Sequence, residues 1–326
     1  MVDFFAGGAG PLPIVFLSDL APARAAAWCE ALARALPEEE IVAGGEVEAR
    51  GLEPGSLDVA IAANPPAGAL GRFPALGFVQ SLWAGVEPLV DDPALPPTAR
   101  LARLVDPELA RSMAEAVTAH VLALHRDHGH YAHAQAARRW APLPAIRASD
   151  RTIGFLGTGE LARASMARLA DFGFPLLGWS RSGRQIEGVA TFSGADGLAT
   201  LLGRADILVN LLPLTDATRK IVDARLLAQL PEGAALVNVA RGGHVVDADL
   251  LAALDAGRLR TAILDVFRVE PLPADHPFWG HPRVFIFPHV AAPTDPASAA
   301  EIAAANVRAF RASGAIVGLV DRTRGY

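Results

Sequence analysis

Three polar side chains in the second half of the chain stand where apolar runs end. Arg241 follows "AALVNVA" (234–240), Glu270 follows "TAILDVF" (261–267), and His289 closes "VFIFPH" (284–289). An imidazole titrates near neutral pH and can give up a proton and recover it. A carboxylate bonded to that ring would orient it and raise its pKa. A guanidinium offers a planar fork of donors to a carboxylate and steadies negative charge developing on an oxygen. Each residue alone also has a plainer reading: a satisfied core histidine, a surface charge beside a helix, a turn residue before Pro271. All three at strand ends of one sheet read as an acid–base pair beside an anion clamp.

A second set of residues is suited to holding a dinucleotide. "IGFLGTGELA" (153–162) puts Gly157, Gly159 and Ala162 at G-x-G-x-x-A, with Thr158, Glu160 and Leu161 between them. The motif follows an apolar strand pattern and opens a helical one, the context in which glycines let backbone N–H groups approach a pyrophosphate at a helix N-terminus. The next apolar run, "FPLLGWS" (174–180), ends in Ser180, Arg181 and Ser182, with Arg184 just beyond. An acid at this tip would hold a ribose 2′-hydroxyl and repel a 2′-phosphate. Arginines and serines suit the phosphate, so NADPH is expected over NADH, with NAD a weaker possibility. The plainer alternative is that these arginines are solvated loop charges.

These residues need a scaffold. Continuous apolar strands alternating with helical stretches imply parallel sheets covered on both faces. In the first third, "PIVFLS" (13–18), "LDVAIAA" (57–63) and "LGFVQSL" (76–82) read as strands, and 22–36 as an amphipathic helix. The Pro- and Asp-rich stretch 88–107 reads as a linker, followed by a long helix over about 108–127. From Arg151 onward six strands are expected: 152–157, 174–180, 206–212, 234–240, 261–267 and 284–289. A last helix, 296–310, returns to the first domain. The fold class is therefore α/β with two doubly wound parallel-sheet domains. A flavodoxin-like substrate domain spans 1–107 with 291–326. A Rossmann domain spans 108–290, and about 108–150 of it forms a dimerisation helix and arm.

Composition narrows the partners. With 326 residues, 52% of them hydrophobic, the chain can bury two cores. A net charge of −6 gives no support to nucleic-acid or membrane-surface binding. No apolar run is long enough to cross a bilayer. The first charge is Asp3 and the first arginine Arg24, so a signal peptide is not expected and the reading is cytoplasmic. Cys29, the only cysteine, excludes an internal disulfide and reads as packing. Lys220, the only lysine, lies in a polar stretch and is the one candidate for imine chemistry. His120, His125, His128, His130 and His133 crowd one segment, but their spacing is irregular and Gly129 interrupts the helix, so no metal site is expected.

The blocks "LDVFRVEPLPADHPFWGHPRVFIFPHVAAPT" (264–294) and "VDRTRGY" (320–326) carry a resemblance. Over nearly all its length the chain is similar to the D-2-hydroxyacid dehydrogenases, and within them to the bacterial glyoxylate/hydroxypyruvate reductase A group. The resemblance implies NADPH-dependent reduction of a small 2-oxoacid. His289 would be the general acid, Glu270 its partner and Arg241 the substrate clamp. "SLWAGVE" (81–87) resembles the family's carboxylate-binding loop, so Ala84, Gly85 and Val86 would present N–H groups, with Trp83 as a wall of the pocket or simple packing. Leu211, Leu212, Pro213, Val239 and Ala240 would line the cofactor path. Asp265 would hold the nicotinamide amide, or equally be a buried structural acid. The implied assembly is a homodimer, with Trp140 near the partner's pocket, and the two domains would close over cofactor and substrate. Two rival readings stay open: a reductase of a bulkier 2-oxoacid such as phenylpyruvate, and a dinucleotide-sensing binding protein without turnover.

Overall fold

The computed structural model describes residues 12–325. Asp3, on which the signal-peptide expectation rests, and Tyr326 of the C-terminal block lie outside the described residues. The chain divides into two compact units, Met1–Asp106 with Thr294–Tyr326, and Pro107–Pro293.

The first unit opens with β1 (Ile14–Ser18), α1 (Pro22–Ala35), β2 (Ile41–Ala43), β3 (Val59–Ala63), β4 (Phe78–Ser81), α2 (Glu87–Val90) and β5 (Arg100–Ala102). All strand pairs are parallel, in the order β2-β1-β3-β4-β5. Alternate residues of β1 serve opposite faces: Ile14 and Phe16 enter one buried cluster, Val15 and Leu17 the other. A period of two with both faces apolar is what a sheet covered on each side requires.

Two of these strands are absent from the sequence reading. β2 and β5 are three residues each, too short for a periodic signal, and β5 falls inside the stretch expected to be a linker. That expectation is corrected. Residues 87–102 belong to the first unit, where Leu89, Leu95, Ala99 and Leu101 are buried in its core.

The second unit begins with α3 (Pro107–His125) and α4 (His128–Ala136). The helix break falls at Asp127, whose φ is +56, and not at Gly129, which lies within α4. Then come β6 (Ile153–Leu156), α5 (Glu160–Ala170), β7 (Leu176–Trp179), β8 (Ala190–Phe192), α6 (Gly194–Leu202), β9 (Ile207–Asn210), α7 (Ala224–Gln229), β10 (Ala234–Asn238), α8 (Asp247–Asp255), β11 (Leu259–Leu264) and β12 (Val284–Ile286). The sheet has seven parallel strands, not the six expected, ordered β12-β11-β10-β9-β6-β7-β8. The extra strand, β8, is a short, partly exposed edge without an apolar run to announce it. The chain leaves β6 towards β7 and returns on the other side through β9. The β6/β9 junction is thus the topological switch point, where open α/β sheets bind ligands. Finally α9 (Pro296–Ser313) closes the first unit, packing on α1 and β4.

The strands of the second unit end earlier than their apolar runs. β9 stops at Asn210, β10 at Asn238 and β11 at Leu264. Residues read as strand ends therefore lie in the loops beyond the sheet, where side chains are free to meet a ligand.

Candidate active site

The glycine loop sits at the switch point. Gly157 has φ +104, and a Cβ there would lie 2.8 Å from the carbonyl oxygen of Leu211, so the loops after β6 and β9 touch only because residue 157 is glycine. Gly159 caps α5, and a Cβ on it would meet nothing within 4 Å. The N–H groups of Thr158 and Gly159 have no acceptor among the described residues. Open space beside unpaired donors at a helix N-terminus fits a pyrophosphate. Glu160 and Leu161 form the first turn, with Glu160 paired to Arg163. Leu211–Pro213 follow β9, and Val239 and Ala240 follow β10.

The loop after β7 turns at once. Gly183 N–H donates to the Ser180 carbonyl at 3.3 Å, which leaves Arg181 and Ser182 at the tip, exposed, with Arg184 exposed next to it. Gly183 adopts the left-handed φ of +61 that closes the turn. Ser180 Oγ is buried and has no hydrogen-bond partner. An orphan hydroxyl at the start of a loop that carries two arginines suits an anionic ligand with several acceptor oxygens.

Glu270 and His289 meet directly, Oε2 to Nδ1, at 2.7 Å. Glu270 Oε1 accepts from Phe267 N–H at 2.8 Å, which ties its side chain to its own loop. Burial pushes the Glu270 carboxyl up, but the bonds from His289 and Phe267, with the His289 and Arg241 charges, hold it below the usual carboxylate range. The bond to Glu270 holds His289 above its ordinary value, against burial and against the Arg241 charge. An ionised Glu270 requires the proton on Nδ1. Nε2 of a half-exposed ring is then the nitrogen left for chemistry.

His289 stands in a left-handed turn, φ +55, uncommon for any residue with a side chain. Asp265 holds it there. The His289 N–H donates to the Asp265 carbonyl at 2.8 Å, while Val290 and Ala291 N–H donate to Oδ1 and Oδ2 at 2.8 and 3.0 Å. Asp265 is 1% exposed, and burial pushes its carboxyl up despite the two backbone donors. Its side chain is thus engaged with the backbone that carries His289.

Arg241 precedes a short 3-10 turn, Gly242–His244, and its Nη1 donates to the Ala240 carbonyl at 2.7 Å. A Cβ on Gly242 would lie 1.9 Å from the carbonyl carbon of Phe267. Gly242 therefore lets the Arg241 loop press on the loop that carries Glu270. The sequence reading passed over this residue, and also over Asn210, Asn238 and His244, all fully buried. Asparagine closing two apolar runs, "ILVN" and "LVN", was the available signal.

In the first unit, Trp83 N–H and carbonyl are both bonded to Ser81 Oγ, at 3.0 and 3.2 Å. Its ring packs edge-on to Trp28, and its Nε1 is buried without a partner. The N–H groups of Ala84, Gly85 and Val86 donate to no acceptor among the described residues. Buried Gln80 supports the turn, donating to Ser81 O at 2.8 Å and accepting from Asn306 at 2.7 Å.

Residues 118–291 match the profile of the D-isomer specific 2-hydroxyacid dehydrogenase NAD binding domain. The chain belongs to the D-isomer specific 2-hydroxyacid dehydrogenase family. It is 39% identical to a glyoxylate/hydroxypyruvate reductase A of Serratia proteamaculans over 307 residues, 92% of this chain and 96% of the relative. Among solved structures, it is similar to a D-isomer specific 2-hydroxyacid dehydrogenase of Xanthobacter autotrophicus Py2 in complex with NADPH and MES. There the TM-score is 0.90 at 38% identity, covering 96% of this chain and 99% of the other. A second is the NADPH-dependent glyoxylate/hydroxypyruvate reductase of Sinorhizobium meliloti in complex with NADP and sulfate, with TM-score 0.89, 36% identity and the same two coverages.

No helix among the described residues is long and apolar enough to cross a membrane, and no group of three or more His, Cys, Asp or Glu is placed to hold a metal ion. In the histidine-rich segment, His120 and His125 are buried, and their rings pack on Phe287 and Phe174.

Proposed function

We propose that the chain reduces small 2-oxoacids, glyoxylate and hydroxypyruvate, with NADPH as the reductant. The observation that carries this reading is the 2.7 Å bond between His289 Nδ1 and Glu270 Oε2, set beyond the strand ends next to Arg241. The Serratia relative's name and the NADPH and NADP in the two solved relatives support it.

Bound NADPH supplies the hydride. Gly157, Thr158, Gly159, Glu160 and Leu161 would hold its pyrophosphate, and Ser180, Arg181, Ser182 and Arg184 its 2′-phosphate. Leu211, Leu212, Pro213, Val239 and Ala240 would flank the rest. His289 delivers the Nε2 proton to the keto oxygen as charge develops there. Glu270 keeps the ring oriented and charged until that transfer. Arg241 holds the substrate carboxylate and faces the growing negative charge. In the first unit, Ala84, Gly85 and Val86 would offer their N–H groups to a carboxylate, with Trp83 beside them. We assign Asp265 to the backbone of 289–291 and not to the nicotinamide amide.

The working form is a cytoplasmic homodimer built through the helix and arm of about 108–150. This segment exposes Trp140 at 97%, together with Leu143 and Ile146. Light scattering of wild type and Trp140→Ala tests it.

The deciding experiment is a steady-state matrix of glyoxylate, hydroxypyruvate, pyruvate and phenylpyruvate against NADPH and NADH. The highest kcat/KM is expected with NADPH and one of the first two. A preference for phenylpyruvate would establish the bulkier-substrate reading, and no turnover with any pair would establish the binding-protein reading.

A further inference from the structure

Asn210 and Asn238 are register partners at the last residues of the adjacent parallel strands β9 and β10. Beyond them the β9–β10 backbone ladder ends. Their side chains take over from it. Asn210 Nδ2 donates to Asn238 Oδ1 at 2.9 Å and lies 2.9 Å from His244 Nδ1. Leu212 N–H donates to Asn210 Oδ1, and Ala240 N–H to Asn238 Oδ1, each at 3.3 Å. Asn238 Nδ2 donates to the Arg241 carbonyl at 3.1 Å. His244 Nε2 lies 3.2 Å from the Pro213 carbonyl.

The direction of every bond is fixed by a backbone group. Leu212 N–H requires an oxygen of Asn210, so the Asn210 nitrogen faces His244 Nδ1. Nδ1 must then accept. The Pro213 carbonyl can only accept, so the proton of His244 sits on Nε2. The relay runs from the loop after β9 to the loop after β10 without an interruption, and all three side chains are fully buried. In such surroundings an unmade bond is costly, which makes the arrangement stiff. Its ends are Leu212 and Pro213 on one side, Ala240 and Arg241 on the other.

We propose that Asn210, Asn238 and His244 are positioning residues. Their relay fixes the Arg241 clamp relative to the cofactor-lining loop, so that NADPH binding and oxoacid binding reinforce one another. The inference rests on the reductase reading above.

Two measurements test it. The first uses oxamate, an unreactive analogue of a 2-oxoacid, and NADPH fluorescence. In wild type, saturating oxamate tightens NADPH binding. His244→Leu abolishes that reinforcement and raises the oxoacid KM roughly tenfold, the scale of one buried hydrogen bond. His244→Gln carries a donor and an acceptor and keeps both properties near wild type. A His244→Leu enzyme with wild-type reinforcement and KM overturns the proposal, as does a wild type in which oxamate leaves NADPH affinity unchanged. If His244→Leu does not fold, Asn238→Asp replaces the donor to the Arg241 carbonyl in the same shape. It is expected to raise the oxoacid KM while leaving binding of NADPH alone unchanged, and an unaltered KM counts against the relay.

The second measurement needs no turnover. Imidazole ¹⁵N shifts of labelled protein report the His244 tautomer, expected as Nε2–H. A proton on Nδ1 removes the relay whatever the enzyme reduces. A protein that binds neither NADPH nor oxamate refutes the reductase reading instead, and the tautomer alone then decides the relay.

Discussion

Gly242→Ala offers a demanding test of how the site is built. An added Cβ would lie 1.9 Å from the Phe267 carbonyl carbon, 2.2 Å from its oxygen and 2.3 Å from Arg268 N. Non-bonded carbons settle at about 3.5–4.0 Å, so the two loops must part by roughly 1.6 Å. Gly242 has no left-handed φ, so alanine is conformationally admissible and the whole cost is contact. Overpacking of this kind costs about 1–3 kcal/mol, which lowers the melting temperature without unfolding the protein. A cavity of about 160 Å³ is lined by Gly242, Val266, Phe267, Leu272 and Phe278. What suffers is registration. Arg241 is the preceding residue, and Glu270 is tied to Phe267 N–H, so the clamp and the acid–base pair move apart. Misplacement of about 1 Å costs on the order of 100-fold in rate. Loss of NADPH absorbance with glyoxylate should therefore show kcat/KM down at least about 100-fold. NADPH affinity should change far less than kcat/KM, because Gly157–Leu161 and Ser180–Arg184 lie on other loops and only Val239 and Ala240 adjoin the displaced one. Gly280→Ala, whose Cβ would meet nothing within 4 Å, is the matched control and should be silent. Wild-type kcat/KM in Gly242→Ala would refute the reasoning.

Other perturbations separate the roles. His289→Asn should lower kcat by roughly 100- to 10,000-fold with NADPH affinity retained; normal turnover removes it as the acid. Arg241→Gln should raise the oxoacid KM and lower kcat/KM by at least about tenfold, and an unchanged kcat/KM ends the clamp role. Glu270→Gln removes the carboxylate whose hydrogen bond first, and charge second, hold the His289 pKa up. Reduction uses the protonated ring, so its kcat/KM falls as pH rises through the His289 pKa, and in this variant that fall should move to lower pH; a fixed limb would disconnect the pair. Arg181→Asp should raise the KM for NADPH roughly tenfold or more and reduce the preference over NADH, and an unaltered ratio would dismiss the 2′-phosphate assignment.

How much of this could be read from the chain depends on the range of the signal. Long apolar runs announced β1, β3, β4, β6, β7 and β9–β12, because a strand covered on both faces is built mostly of apolar residues. β2, β5 and β8 are three residues long and take their stability from neighbours, so nothing local marks them. The same division holds in the site. Arg241, Glu270 and His289 were visible as polar residues breaking apolar runs, and Gly157 and Gly159 as a spaced pair between strand and helix. Gly242 was not, since its need arises from Phe267, distant in sequence and adjacent only in the fold. Asn210 and Asn238 resemble ordinary strand ends until their register pairing is known.

Asp265 shows why a buried acid at a strand end resists assignment from sequence. Its position allows it to face a ligand or to hold the next loop, and both uses call for a carboxylate in an apolar strand. The hydrogen bonds separate them. His289 occupies a left-handed turn that side-chain-bearing residues seldom adopt. A turn of that kind persists only where its surroundings over-determine it. Here three successive N–H groups, from His289 to Ala291, converge on Asp265. Glu270 then fixes the ring from the other side through Nδ1. The imidazole is held at its backbone by one acid and at its side chain by another, which leaves Nε2 as the one nitrogen with chemistry to do.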